Sequence, residues 1–182
     1  DIRLWEEDES PYALVAQILT DENVHGKVAL DEAAPFFIAD GLRQALSSYD
    51  IVNGMVITAE CRMHKSVNEI ALMQAAKNIT LEVQRRTAKI LRDGISSTEV
   101  ADFINQAHRA FGGRSSTFCI VSFGLPTSTP HGPDGVQYLK EGDMVLIDTG
   151  CRLLGYVSDI TRSYVFGEPT KRQRDIWPVE KA

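Results

Sequence analysis

Residues 144–166 constrain the fold of this chain more than any other stretch. Met144 to Thr149 and Tyr156 to Phe166 read as two strands joined by a tight connection. Each carries an aspartate in apolar company, Asp148 after Leu146 and Ile147 and Asp159 before Ile160. With the turn at Leu153-Leu154, Arg152 faces Gly155, Thr149 faces Ser158, and Asp148 faces Asp159. The two carboxylates are then direct cross-strand neighbours with Cβ atoms about 5 Å apart, where like charges destabilise one another. A shared proton, a nearby arginine or a bound cation can compensate. Hard divalent ions prefer carboxylate oxygen, so paired aspartates on facing strands make half of a dinuclear cage. A different turn register, with both aspartates as solvated strand ends, is the alternative reading of the same spacing.

The residues before the hairpin are largely helical. Ser66 with Glu69 and Ser96 with Glu99 are two capping boxes. The first opens a long helix with an apolar stripe of Ile70, Met73, Ala76, Ile79, Val83, Ile90 and Leu91, stopped by Gly94. The second opens a helix through Val100, Ile104 and Ala107 to Phe111. Thr117 to Phe123 reads as a strand, and Leu125 to Pro133, with three prolines, as an extended loop. Thr170 and Gln173 form a third capping box, and Pro178 is expected to kink or end the helix that follows. Helices followed by a meander of strands indicate an α+β layout. Upstream, Ser10-Pro11 starts a helix to about Leu19, and Lys27 to Leu30 reads as a strand. Ala33 to Leu46 reads as a helix whose contacts come from Phe36, Phe37, Leu42 and Leu46, with Gly41 weakening it. Met55 to Ala59 is a short apolar run, strand or loop.

Composition narrows the function classes. A net charge of −6 argues against a phosphate-backbone binder. The basic clusters Arg85-Arg86 and Lys171-Arg172-Gln173-Arg174 read as solvated helix surface. No run approaches the roughly 20 apolar residues of a membrane helix. Three cysteines without a CxxC pair fit free, mostly buried thiols in a reducing cytoplasm. The first residues show no signal-peptide pattern and no initiator methionine, so the chain is expected to be part of a longer one.

The segment Ile147-Asp148-Thr149-Gly150 to Asp159-Ile160-Thr161-Arg162, with its aspartates eleven positions apart, resembles the metal-binding motif of the pita-bread peptidases, the creatinase, aminopeptidase P and prolidase family. Lys65-Ser66 to Glu69-Ile70 resembles that family's entry into its catalytic domain, and Thr129-Pro130-His131-Gly132 sits where the family places an active-site histidine. The resemblance implies an α+β fold: residues 63–182 as the N-terminal half of the catalytic domain, and 1–62 as the C-terminal part of an α/β N-terminal domain. It implies Asp148 and Asp159 as metal ligands, the second bridging two divalent ions. Manganese is favoured by ligand hardness; cobalt, zinc and iron are also compatible. It implies His131 as a neutral donor near the scissile bond, and Thr161 as a hydroxyl orienting a ligand carboxylate. The implied activity is hydrolysis of peptides with proline in second position, through water activated by the metals, in a cytoplasmic homodimer with no nucleic-acid or membrane partner.

The family completes its cage with one histidine and two glutamates that belong further along, whereas His131 is the last histidine here. The isolated chain is therefore expected to bind metal weakly and to hydrolyse little. The rivals are a metal-free creatinase-like hydrolase, a pita-bread module that only binds peptides or proteins, and a methionine aminopeptidase, which the segment before Ser66 disfavours. His25, His64 and His108 read as structural or surface residues, Cys151 as core, and Asp143 as part of a turn.

Overall fold

The computed structural model describes residues 2–129, 131–132 and 134–181, with the backbone alone for 180 and 181. Pro130 and Pro133 of the proline-bearing loop lie outside the described residues, as does the side chain of Glu180. The chain divides into two units, Asp1–Lys65 and Ser66–Ala182.

In the first unit, Ser10 caps helix α1 (Pro11–Asp21) by accepting from the Ala13 amide. Strands β1 (Lys27–Leu30) and β2 (Asp50–Asn53) pair in parallel, with helix α2 (Phe36–Ala45) as the crossover. Such a crossover is what parallel neighbours require. Leu42 and Leu46 are buried as expected, but Phe36 and Phe37, in the first turn after Pro35, are exposed. Gly41 is needed for packing: a Cβ there would sit 2.3 Å from the Tyr12 ring. The apolar run from Met55, read as strand or loop, is helix α3 (Met55–Met63). A short apolar run does not distinguish the two by period, and the Asn53 side chain accepts from the Met55 amide to start the helix.

The second unit packs two helices on an antiparallel sheet. Both expected capping boxes are present, Ser66 with Glu69 opening α4 (Val67–Ile90) and Ser96 with Glu99 opening α5 (Ser97–Ala110). Strand β3 (Ser116–Phe123) pairs with β4 (Met144–Leu153), and β4 pairs in turn with the short β5 (Tyr156–Val157) and with β6 (Ile160–Val165). Val83, Ile95, Val100, Ile104, Val121, Leu139, Val145 and Ile147 form the core between helices and sheet. The α4 stripe differs from expectation at its start. Ile70 and Met73 are exposed, and the buried face is Ala76, Thr80, Val83, Gln84 and Thr87. The third box also forms, Thr170 and Gln173 bonding reciprocally at the start of α6 (Lys171–Lys181). Pro178 neither ends nor interrupts that helix. It lies near the C-terminal end, where the missing N–H costs one bond, to the Arg174 carbonyl.

Free thiols are mixed in burial: Cys151 is buried, Cys119 half-buried and Cys61 exposed, so the expectation of mostly buried cysteines fails at Cys61. Burial pushes the Cys119 thiol up to about 11, which keeps it un-ionised and unreactive.

His108 is fully buried and structural. Its Nε2 lies 3.0 Å from Thr80 Oγ1 and its Nδ1 2.9 Å from Ser116 Oγ, so it ties α5 to α4 and β3. Burial holds its pKa below the ordinary 6.5. The unfolded chain therefore binds a proton that the folded chain resists, and the contribution of His108 is complete above about pH 6.5 and lost as pH falls toward the depressed folded value. The unfolding free energy from urea titration should drop between pH 7.5 and 5.5, with His108 contributing at most about 1.4 kcal/mol per pH unit, and that contribution should be absent in His108→Gln.

Candidate active site

The pleat of β4 separates structure from chemistry. Val145, Ile147, Thr149 and Cys151 are buried, with Val145 and Ile147 in the core against the helices. Leu146 and Asp148 alternate with them and are half-buried, which puts the Asp148 carboxylate on the face away from α4 and α5.

The hairpin register corrects the expected one by two residues. Leu153 pairs with Tyr156 and Arg152 with Val157, so the two-residue turn is Leu154-Gly155. Both turn residues have positive φ, 48° and 93°, as a type I′ turn requires. Glycine supplies the second of these positions, and that draws the turn one residue beyond Leu153-Leu154. Asp148 consequently faces Thr161, not Asp159, and Thr149 faces Ile160. The ladder ends at the Thr149–Ile160 pair, one residue short of Asp159, so Asp159 is not the direct cross-strand partner of Asp148. Asp159 is also exposed, not enclosed by the sheet as its apolar neighbours suggested.

Gly150 makes the crossing possible. A Cβ at this position would lie 1.8 Å from the Ser158 carbonyl oxygen, so the strand carrying Asp159 passes directly over the Gly150 backbone. Between β5 and β6 the ladder is interrupted at Ser158 and Asp159. Ser158 is buried there, its amide donating to the Cys151 carbonyl at 3.0 Å and its Oγ accepting from the Cys151 amide at 3.0 Å.

Thr161 donates from Oγ1 to Asp148 Oδ1 at 2.8 Å, so the hydroxyl holds the aspartate across from it and not the one two residues back. His131 is exposed. Its neighbour Gly132 lies against Ile120, whose Cγ2 is 3.2 Å from the position of a Cβ on Gly132. Ile120 is the β3 partner of Asp148, and direct partners share a face. Gly132, next to His131, therefore lies over the face that carries Asp148. Among the described residues no group of three or more His, Cys, Asp or Glu is placed to hold a metal ion. Two aspartates, hard oxygen donors, match in residue type part of a divalent-ion site, not a complete one. Asp143 serves the turn, accepting from the Lys140 amide at 2.9 Å.

Sequence reasoning missed the polar residues behind the aspartates. Gln84 donates to the carbonyls of Ile147 and Ile160, and Thr80 bonds Ser158. The signal was available: Thr80, Gln84 and Thr87 interrupt the apolar stripe of α4 where it is most deeply buried.

The model of metallopeptidase family M24 matches residues 71–181, more than half of the chain. The chain belongs to metallopeptidase family M24. Among curated M24-like relatives, the putative dipeptidase YkvY of Bacillus subtilis is 32% identical over 177 residues, 95% of this chain and 48% of that protein. The uncharacterized peptidase YqhT of the same organism is 33% identical over 135 residues, 74% of this chain and 38% of that protein. Among solved structures, a dipeptidase from Pyrococcus horikoshii superposes with a TM-score of 0.86 at 26% identity, covering 97% of this chain and 50% of that one. An Xaa-Pro dipeptidase from Bacillus anthracis gives a TM-score of 0.83 at 26% identity, with coverage of 92% and 47%. The M24 chain has the pita-bread α+β fold and spans about half the length of these relatives or less.

Because the Ser158 backbone and the Phe118 ring both lie against Gly150, Gly150→Ala should destabilise this M24 chain by about 1–3 kcal/mol. Chemical denaturation would measure the loss, and the amides of Ser158 and Asp159 should shift most in the NMR spectrum of the variant.

Proposed function

We propose that this chain supplies two metal-binding aspartates of an Xaa-Pro peptidase, a metal-dependent hydrolase of peptides with proline at the second position. The reading is supported by Asp148 on the outer face of β4, bonded by Thr161, with Gly132, the neighbour of His131, against its β3 partner Ile120. Asp148 and Asp159 are the ligands, and Thr161 orients Asp148 by donating to its Oδ1. His131 is the hydrogen-bond donor to the substrate carbonyl. Divalent ions, when bound, lower the pKa of water toward neutrality and polarise a carbonyl. Carboxylate oxygen donors favour manganese, with cobalt, zinc or iron as acceptable substitutes.

Residues 63–182 are read as the N-terminal half of the catalytic domain and 1–62 as the C-terminal part of the domain before it. The remaining ligands then come from outside this chain, in a protein of the relatives' length, and the working form is a homodimer. No helix among the described residues is long and apolar enough to cross a membrane. Three unpaired cysteines fit a reducing cytoplasm.

The full-length product of the gene encoding this chain should hydrolyse an Ala-Pro peptide only with a divalent ion present. Asp148→Asn and Asp159→Asn should each lower kcat/KM by more than the roughly 10–100-fold that hydrogen-bond partners of metal ligands command. Hydrolysis that survives chelation and both substitutions would remove the metal reading in favour of a metal-free hydrolase on the same fold.

A further inference from the structure

Two buried polar residues on α4 reach β4, β6 and the segment just before β6 from the helix side of the sheet. Gln84 is 6% exposed, and its Nε2 donates to the Ile147 carbonyl and to the Ile160 carbonyl, both at 3.0 Å. Ile147 immediately precedes Asp148 on β4, and Ile160 immediately follows Asp159 on β6. A single amide group thus joins the two strands at the level of the candidate ligands. One turn earlier on the same helix face, Thr80 is fully buried and its Oγ1 lies 2.8 Å from Ser158 Oγ. Ser158 immediately precedes Asp159.

Stability alone does not explain this choice of residues. Burying an amide is unfavourable unless all its groups are bonded, and Gln84 Oε1 has no partner among the described residues. An apolar side chain of the same length would fill the space without an orphan acceptor. What Gln84 adds is the two donors, and both are directed to the peptides beside the aspartates. Thr87, on the same buried face, bonds instead to the Val83 carbonyl within its own helix, so a polar residue in this core need not reach the sheet.

We propose that Gln84 and Thr80 are positioning residues that fix, from the helix side of the sheet, the spacing and orientation of Asp148 and Asp159. Gln84 sets the separation of the two strands, and Thr80 holds the Ser158–Asp159 peptide where it crosses Gly150. The consequence for metal binding rests on the reading of Asp148 and Asp159 as ligands; the positioning itself does not.

The test uses the 15N- and 13C-labelled 182-residue chain. In the metal-free protein, Gln84→Met should weaken the cross-strand nuclear Overhauser contacts Asp148–Thr161 and Thr149–Ile160, and leave Met144–Val165 intact. In a manganese titration, the concentration that broadens the Asp148 and Asp159 amides should rise about 10–100-fold, and Thr87→Val should leave both readouts at their wild-type values. Thr80→Val, which is isosteric, should move the Asp159 amide and not the Asp148 amide; it carries the test if Gln84→Met fails to fold. Unchanged cross-strand contacts in Gln84→Met, or an unmoved Asp159 amide in Thr80→Val, overturn the inference whatever manganese does. Weakened contacts in Gln84→Met uphold the positioning role even where the wild-type chain shows no manganese broadening, and the metal reading is then decided separately by the metal dependence of the full-length protein.

Discussion

Everything on the open face of the second sheet depends on the register of β4 against the strand that returns from its turn. That register is set by backbone handedness: the type I′ turn needs two residues with positive φ, and Leu154-Gly155 provides them. Moving the turn by one residue along the chain moves the pairing by two, so every side chain keeps its face while its partner changes. Asp148 thereby gains a hydroxyl opposite it in place of a second negative charge. The electrostatic conflict of two facing carboxylates is eased by geometry before any cation is considered, because Asp159 is not opposite Asp148 and is exposed to solvent.

The other face shows how the helices impose order on this hairpin. Hydrophobic packing of Val83, Val145, Ile147 and their neighbours holds α4 on the sheet, but packing alone is non-directional. Direction comes from the hydroxyl and amide groups of Thr80 and Gln84, which select particular carbonyls and hydroxyls on β4 and β6. At the hairpin tip, Tyr156 donates to Glu69 at 2.7 Å, and the same glutamate closes the capping box of α4. The start of the helix and the tip of the hairpin are thus tied to one carboxylate, which keeps the Tyr156 phenol above its ordinary pKa.

Much of the fold could be read from residue types. Ser-x-x-Glu boxes located the starts of α4 and α5, because their capping chemistry is local and needs no tertiary partner. The β3 strand was equally plain from its β-branched and aromatic content. Failures came where a local signal has two solutions. Met55 onward was read as strand or loop, whereas the Asn53 side chain accepting from the Met55 amide turns it into a helix; Phe36 and Phe37 were apolar but placed in an exposed first turn, and the turn could close on either of two neighbouring pairs. At the site, the residue types of Asp148, Thr161 and Gly150 were apparent, whereas their partners were not. Facing relations depend on a register that one glycine decides, and the bonds from Gln84 and Thr80 span more than 60 positions of sequence.

Gly150 separates what the architecture demands from what the chemistry demands. The carbonyl of Ser158 occupies the space any side chain at 150 would need, so glycine is required there whether or not an ion ever binds. Asp148 and Asp159 carry no such architectural obligation, since one is half-buried and the other exposed. A descendant that abandoned hydrolysis and kept the scaffold would be free to change both acids and would still be bound to its glycine. Loss of the aspartates beside a retained glycine is therefore the mark of a repurposed scaffold, and loss of the glycine the mark of a broken one.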